Sequence, residues 1–400
     1  MPLKLGPISE QVDDLAKTWV DLSLTQKDLL EQAQDCLRTV DREALRFKLQ
    51  QHMRQQMRFP WLLAMPSYSS PALPTKGLSG SFPAPSLPSD FCVVGTDASC
   101  IAPDRHVSVR YYVLNVGYAL LTYGSQPDAV LEASSHFCFR DEDLYVFPEE
   151  LEVPIEGALL GARMEVESLR VLLEVVPDTS KPAVALRDGP LTLWTLQNES
   201  DEVQHAVLRD FLDAMAFLRQ AGVPLAGYIS YTGSRDVANS LRMWLCPGQP
   251  GECARCETDN HDLCLALAKI RDRDLFAFLP KGQRSELFGS SSQILERYAE
   301  HRVDFFYLNI GQEIVRVEVP RWVASNPDLL ALVHAVLCDQ CRRSPGFPPY
   351  PPALLEAHEQ AVVTSSERRL VDEMVEQALG RHGQPIIRSG KDDSKRRRAL

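Results

Sequence analysis

Residues 91–100, FCVVGTDASC, decide how the chain folds. Phe91, Cys92, Val93 and Val94 form an apolar run that climbs to Asp97 and stops at the small residues Ala98 and Ser99. This is the pattern of a buried β-strand that presents a carboxylate where its apolar run ends. A second run, AVALRDGPL at 183–191, ends the same way on Asp188. If the two strands are neighbours, both carboxylates converge. Clustered carboxylate oxygens hold divalent cations, which activate an attacking water and stabilise charge during phosphodiester hydrolysis. The plain alternatives are a turn at Asp188-Gly189 and a helix cap at Asp97.

Outward from this stretch, the spacing predicts more strands. Val107, Val109, Tyr111, Val113 and Asn115 alternate with Ser108, Arg110, Tyr112 and Leu114, and 117–123 continues in β-rich residues. A helix over 154–174 leads to the strand at 183–187. Helix 203–220, strand 225–230 and helix 236–245 follow. Antiparallel strands that give way to strands alternating with helices imply parallel crossovers. The expected fold is therefore α/β, a ribonuclease-H-like mixed sheet with flanking helices. A later hairpin joins 303–308 to 313–319 through 309–312, and helices occupy 327–341, 353–364 and 366–379.

Upstream, residues 8–58 carry Val12, Leu15, Val20, Leu22, Leu29, Leu30, Leu37 and Leu45 at near-helical spacing and read as an N-terminal helical arm. Seven prolines then crowd residues 60–89, which read as a linker. The expected organisation is a helical region at 1–59, the linker at 60–89, and the main domain at 90–400.

No apolar run approaches the roughly twenty residues of a membrane span, and the first residues turn polar too soon for a secretion signal. Ten cysteines in such a chain read as thiols or metal ligands, in a cytoplasmic protein. A net charge of −12 argues against a surface coated in nucleic acid, although a local patch could still bind it. One such patch closes the sequence: Arg388, Lys391, Lys395 and Arg396 to Arg398. It is either a solvated tail or a contact for the phosphate backbone, with Lys391 and Lys395 as the candidate DNA-binding residues.

On a regular helix Glu165 falls among Ala158, Ala162, Leu169 and Leu172, whereas Glu167 shares a charged face with Arg163, Arg170 and Glu174. A lone carboxylate in an apolar stripe needs a partner, a proton or a metal. That favours Glu165 as a third ligand, with Glu167 as the alternative. His358, in LLEAHEQAVV, reads by itself as an ordinary partly buried histidine as readily as a ligand or proton donor.

Taken together, VVGTDASC, ARMEVESL, ALRDGPLTLW, FFYLNIGQEIVRVEVPRWVA, YPPALLEAHEQAVV and the basic end RSGKDDSKRR resemble the NurA nucleases, in family order, from about residue 90 to 398. The resemblance implies a ribonuclease-H-like, manganese-dependent deoxyribonuclease (magnesium being the other candidate ion). It would act as a 5'-3' exonuclease and a single-strand endonuclease in DNA end resection and double-strand break repair. A HerA-like hexameric ATPase would be its partner, and the chain would form a homodimer. The resemblance also implies that Asp97, the helix glutamate (Glu165 or Glu167), Asp188 and His358 surround the metal. Ala98 stands where the family usually has glycine, which matters only if that position needs positive φ. The alternative function is a non-catalytic scaffold of the same fold that binds DNA or the ATPase.

Residues 246–264 form a cysteine-rich insertion, C-x6-C-x2-C-x7-C, built from Cys246, Cys253, Cys256 and Cys264 with His261 inside. Four thiols so close together can hold zinc or an iron–sulfur cluster, or can stand as unligated thiols. A second CxxC, Cys338 and Cys341, falls on an amphipathic helix and reads as core packing.

Overall fold

The computed structural model describes residues 5–54, 61–67, 77–105, 107–147, 151–176, 181–247, 256, 261–344 and 346–384. In chain order the elements are α1 (Leu5–Thr39), α2 (Arg42–Arg54), β1 (Ala64–Pro66), β2 (Phe91–Ile101), β3 (Tyr112–Tyr123), β4 (Asp128–Cys138), α3 (Asp141–Leu144), β5 (Tyr145–Phe147) and β6 (Leu151–Pro154). Next come α4 (Ala158–Val175), β7 (Ala183–Asp188), α5 (Asp201–Gln220), β8 (Leu225–Ile229), α6 (Asp236–Leu245), α7 (His261–Leu267), α8 (Asp272–Leu275) and β9 (Phe288–Ser290). The last are β10 (Val303–Asn309), β11 (Ile314–Pro320), α9 (Arg321–Ala324), α10 (Pro327–Arg343), α11 (Pro352–Ala361) and α12 (Ser365–Arg381).

These elements form two compact units. One is made of Met1–Pro83, Ser230–Ser292 and Asp304–Arg316, and the other of Ala84–Ile229, Gln293–Val303 and Val317–Leu400. The chain changes unit inside β10 and β11.

In the second unit the strand order is β8-β7-β2-β3-β4. β3 runs antiparallel to both β2 and β4, whereas β7 is parallel to both β2 and β8, so the sheet is mixed. The parallel pairs require crossovers, supplied by α4 before β7 and α5 before β8. Period-two alternation in β2 divides its side chains between two faces. Cys92 and Val94 join the core formed with Leu159, Ala162, Val166 and Leu169 of α4 and Phe211 and Met215 of α5. Gly95 and Asp97 look the other way, toward α11.

The approach of α11 depends on two glycines. A Cβ on Gly95 would lie 2.3 Å from the Ala353 carbonyl oxygen, and one on Gly117 would lie 2.1 Å from that of Ala357. Any side chain at either strand position would therefore hold the helix off the sheet. Asn115 fixes the helix end by donating from Nδ2 to the carbonyls of Gln360 (3.1 Å) and Ala361 (2.9 Å).

In the first unit β1, β9, β10 and β11 lie in that order, with β9 antiparallel to β1 and β10. Ala33 and Leu37 of α1, Leu45 and Leu49 of α2, and Val237 and Leu241 of α6 share a core with Phe276, Phe288 and Tyr307. The N-terminal helical stretch breaks at Val40-Asp41. There Asp41 accepts from the Ala44 amide at 2.8 Å and starts a second helix. The proline-rich stretch contributes β1 and the buried Leu78, whose amide donates to the Leu37 carbonyl at 2.8 Å. Asp272 accepts from the Val237 and Ala238 amides (3.1 and 2.9 Å) at the start of α6 and from the Tyr307 hydroxyl at 2.6 Å. Arg316 of β11 pairs with Asp236 at 2.8 Å and stacks on Phe305.

Candidate active site

Asp97 sits within β2 rather than at its end. Pairing with β3 continues to Ile101, whereas pairing with β7 stops at Thr96 opposite Arg187. The carboxylate therefore stands where the parallel half of the sheet gives out. The next residue of each strand is an aspartate, Asp97 on β2 and Asp188 on β7, and the parallel register places both on the same face. That face receives α11. His358 lies one turn beyond Leu354, and its Nδ1 stands 2.7 Å from Asp97 Oδ2. The Ala98 amide donates to Asp97 Oδ1 at 2.8 Å, which orients the carboxylate. Asp97 is 21 % exposed and His358 53 %, so the pair opens to solvent.

Asp188 is held from two sides. Tyr350 donates its hydroxyl to Oδ1 at 2.6 Å, and the Gly189 amide donates to the Tyr228 carbonyl at 2.9 Å. Gly189, at φ +100, forms the turn that the Asp-Gly pair suggested, and the aspartate still faces α11. Beyond it, Glu318 accepts from the Leu191 and Thr192 amides (2.9 and 3.2 Å), which pins the strand exit. Burial pushes the Asp188 carboxyl above the usual carboxylate range, the Tyr350 hydrogen bond pulls it down, and the charge on Asp97 pushes it up again.

Arg187 alternates with Asp188 and points to the α4 side. Burial lowers its guanidinium to about 10, against the raising influence of Asp188 and Asp97. Its partner is Glu165, in an ion pair that is 5 % exposed on the arginine and 29 % on the glutamate. The carboxylate in the apolar stripe thus has an arginine to answer it. Glu167 is not the solvated residue that the helical wheel placed it as. It is 13 % exposed and pairs with His136 of β4 at 3.3 Å and Arg170 at 3.5 Å, because β4 brings its own polar side chains over α4.

The structure therefore brings Asp97, Asp188 and His358 to one face and turns Glu165 and Glu167 to other partners. Among the described residues no three His, Cys, Asp or Glu side chains gather closely enough to enclose a metal ion. In donor chemistry, two carboxylates and an imidazole suit manganese or magnesium. Ala98 pairs with Val116 in regular strand, and the positive-φ non-glycine residues among those described are Tyr231 and Ala299, so the methyl group costs the site nothing. Cys253, Lys391 and Lys395 lie outside the described residues. Cys341 is buried, with its sulfur 3.8 Å from the Tyr228 hydroxyl, as core packing requires.

Four contributors were not among the residues expected from the sequence. Tyr350 stood in a quoted motif without any local sign of its partner. Arg187 was hidden in an apolar run. Gly95 and Gly117 did carry a signal, since glycine inside a strand marks a close approach by another backbone.

A mixed sheet in this order, with acidic residues where its parallel half ends, defines a ribonuclease-H-like protein. The NurA domain family matches residues 92–363, and the chain belongs to the NurA family. Among solved structures, the NurA nuclease from Sulfolobus solfataricus is 13 % identical, with 76 % of this chain and 88 % of that one covered and a TM-score of 0.47. A NurA structure with manganese is also 13 % identical, covering 74 % of this chain and 91 % of that one at a TM-score of 0.32. LC9-RNase H1 is 13 % identical over 39 % of this chain and 71 % of that chain, with a TM-score of 0.21. No curated protein matches the chain. No described helix is long and apolar enough to cross a membrane.

Proposed function

We propose that the chain is a divalent-metal-dependent deoxyribonuclease whose working groups are Asp97, Asp188 and His358. The observation that carries this is the Asp97–His358 contact of 2.7 Å on the face that also receives Asp188. Asp97 and Asp188 would hold manganese, or magnesium, with His358 at its edge; the cation supplies activation of water and neutralisation of phosphate charge. Asp97 occupies Nδ1 of His358 and so fixes the ring, leaving Nε2 as the nitrogen able to exchange a proton with substrate. Tyr350 keeps Asp188 aimed at the same face. Glu165 is the remaining candidate ligand and would have to exchange Arg187 for the ion. Family membership supports action on DNA ends, 5'-3' and on single strands, in end resection with a HerA-like ATPase and as a homodimer in the cytoplasm. Lys391 and Lys395 would hold the phosphate backbone. Cys246, Cys253, Cys256 and Cys264 would close their loop on zinc or an iron–sulfur cluster.

Ala98 gave the scaffold alternative some room, and the regular strand pairing of that residue favours the nuclease reading. The decisive experiment is incubation of end-labelled linear DNA with and without manganese. Cleavage that needs the metal and is lost in Asp97→Ala and Asp188→Ala is expected. Full activity in both variants would overturn the assignment.

A further inference from the structure

In the first unit, the turn at 230–235 holds an aromatic ring in a conformation its backbone resists. Tyr231 has φ 46, in the left-handed region that tyrosine rarely adopts, and its side chain is 74 % exposed. Such a residue persists only where its surroundings over-determine it. Here they do. The Tyr231 amide donates to the Glu313 carboxylate, and the Ser230 hydroxyl donates to the same group at 3.0 Å. Arg273 donates from Nη1 to the Tyr231 carbonyl at 3.1 Å. The guanidinium carbon of Arg273 also lies 3.7 Å from the centre of the tyrosine ring, covering one of its faces.

Two further arginines lie beside this turn. Arg271 lies over the same turn, with Nη1 3.0 Å from where a Gly233 side chain would begin. Arg235 is exposed within the turn, bonded to the Ala268 carbonyl at 2.9 Å. The nearby acids are mostly engaged: Glu313 by Tyr231 and Ser230, Asp272 by the start of α6, and Asp236 by Arg316. Asp274 is half exposed at 3.8 Å from Arg273 and is the local counter-charge. An exposed aromatic ring backed by one arginine, with two more arginines at the same turn, is an arrangement able to stack an unpaired base and hold its phosphates.

We propose that Tyr231 is a stacking platform for a base of single-stranded DNA, with Arg235 and Arg271 taking the adjoining phosphates. The proposal rests on the reading of the chain as a DNA-processing protein, and it names a binding site apart from Asp97, Asp188 and His358. Its test is the affinity of the full-length protein for a fluorescein-labelled oligodeoxythymidylate and for a duplex of equal length, in chelator, so that cleavage plays no part. Tyr231→Ala and Tyr231→Gly should weaken single-strand binding by about tenfold while changing duplex binding by less than about twofold. Tyr231→Phe and Tyr231→Trp should bind like the original. Tyr231→Gly relaxes the backbone, so it should melt no lower than the parent, and its loss of binding then reports the ring alone. Unchanged binding in the alanine and glycine variants, or equal loss in Tyr231→Phe, would overturn the proposal, as would failure of the parent to bind the single strand. A parent that binds through Tyr231 but cuts nothing in manganese would sink the nuclease assignment and leave the platform standing.

Discussion

The phenolic hydroxyl of Tyr350 donates to Asp188 at 2.6 Å, although 162 residues separate them in the chain. The ring is held edge-on against Tyr228, with centroids 5.1 Å apart. Removing the hydroxyl therefore leaves the packing in place and frees one carboxylate oxygen. Hydrogen bonds to a charged group are worth about 1.5–3 kcal/mol. Tyr350→Phe should lose about 1.5–3 kcal/mol of stability, still fold, and cut DNA about tenfold more slowly, measured as initial rates on a labelled end.

The two glycine positions give a prediction with a built-in contrast. Gly117→Ala forces a methyl group against the Ala357 carbonyl, so α11 must shift and carry His358 with it. Loss of about 1–3 kcal/mol of stability is expected, together with most of the cleavage activity. Gly161, inside α4, has nothing within 4 Å of where its side chain would be. Gly161→Ala should instead gain about 0.5–1 kcal/mol, by chemical denaturation, with activity unchanged.

In the first unit, Glu286 is fully buried and pairs with Arg42, itself 17 % exposed, while the Gly80 amide donates to it at 3.3 Å. Burial raises the Glu286 carboxyl, and Arg42 opposes that. Arg42→Ala leaves the acid without its main counter-charge and should cost about 3–5 kcal/mol. Adding Glu286→Gln to that variant should recover part of the loss, read from denaturant midpoints.

Asp272 sets a pH dependence. Burial and the neighbouring charge of Asp236 push its carboxyl up to about 6, against an ordinary 3.8 in the unfolded chain. The folded state then binds the proton more tightly, so stability from this group is present at low pH and is lost as pH rises through about 6. Relative to Asp272→Asn, the parent should gain stability between about pH 7 and pH 5, as followed by urea unfolding at each pH. An unchanged difference between the two proteins would show that Asp272 does not titrate there.

Much of this architecture was legible in local patterns. The apolar runs gave β2 and β7, and the helix read over 236–245 is α6 as observed. Alternation of strands and helices gave the parallel half of the sheet. What stayed hidden depends on residues far apart in sequence. The wheel separated Glu165 from Glu167, but it could not show Arg187 beneath one or His136 over the other. The break before α2 was visible in principle, since Asp41 is a good helix-starting residue, but the apolar spacing ran across it unchanged. The composition of the first unit was beyond any local reading, because it gathers three separate stretches of chain.

The seam between α11 and the strands also orders events in time. Asp97 and Asp188 are made early, and the backbone groove over Gly95 and Gly117 lies open until the helix carrying His358, 261 residues after Asp97, has been synthesised. A nascent chain still short of that helix owns both acids but neither the histidine nor the tyrosine that positions them. For a protein proposed to cut DNA, this makes competence a property that a growing polypeptide gains only after α11 has been made.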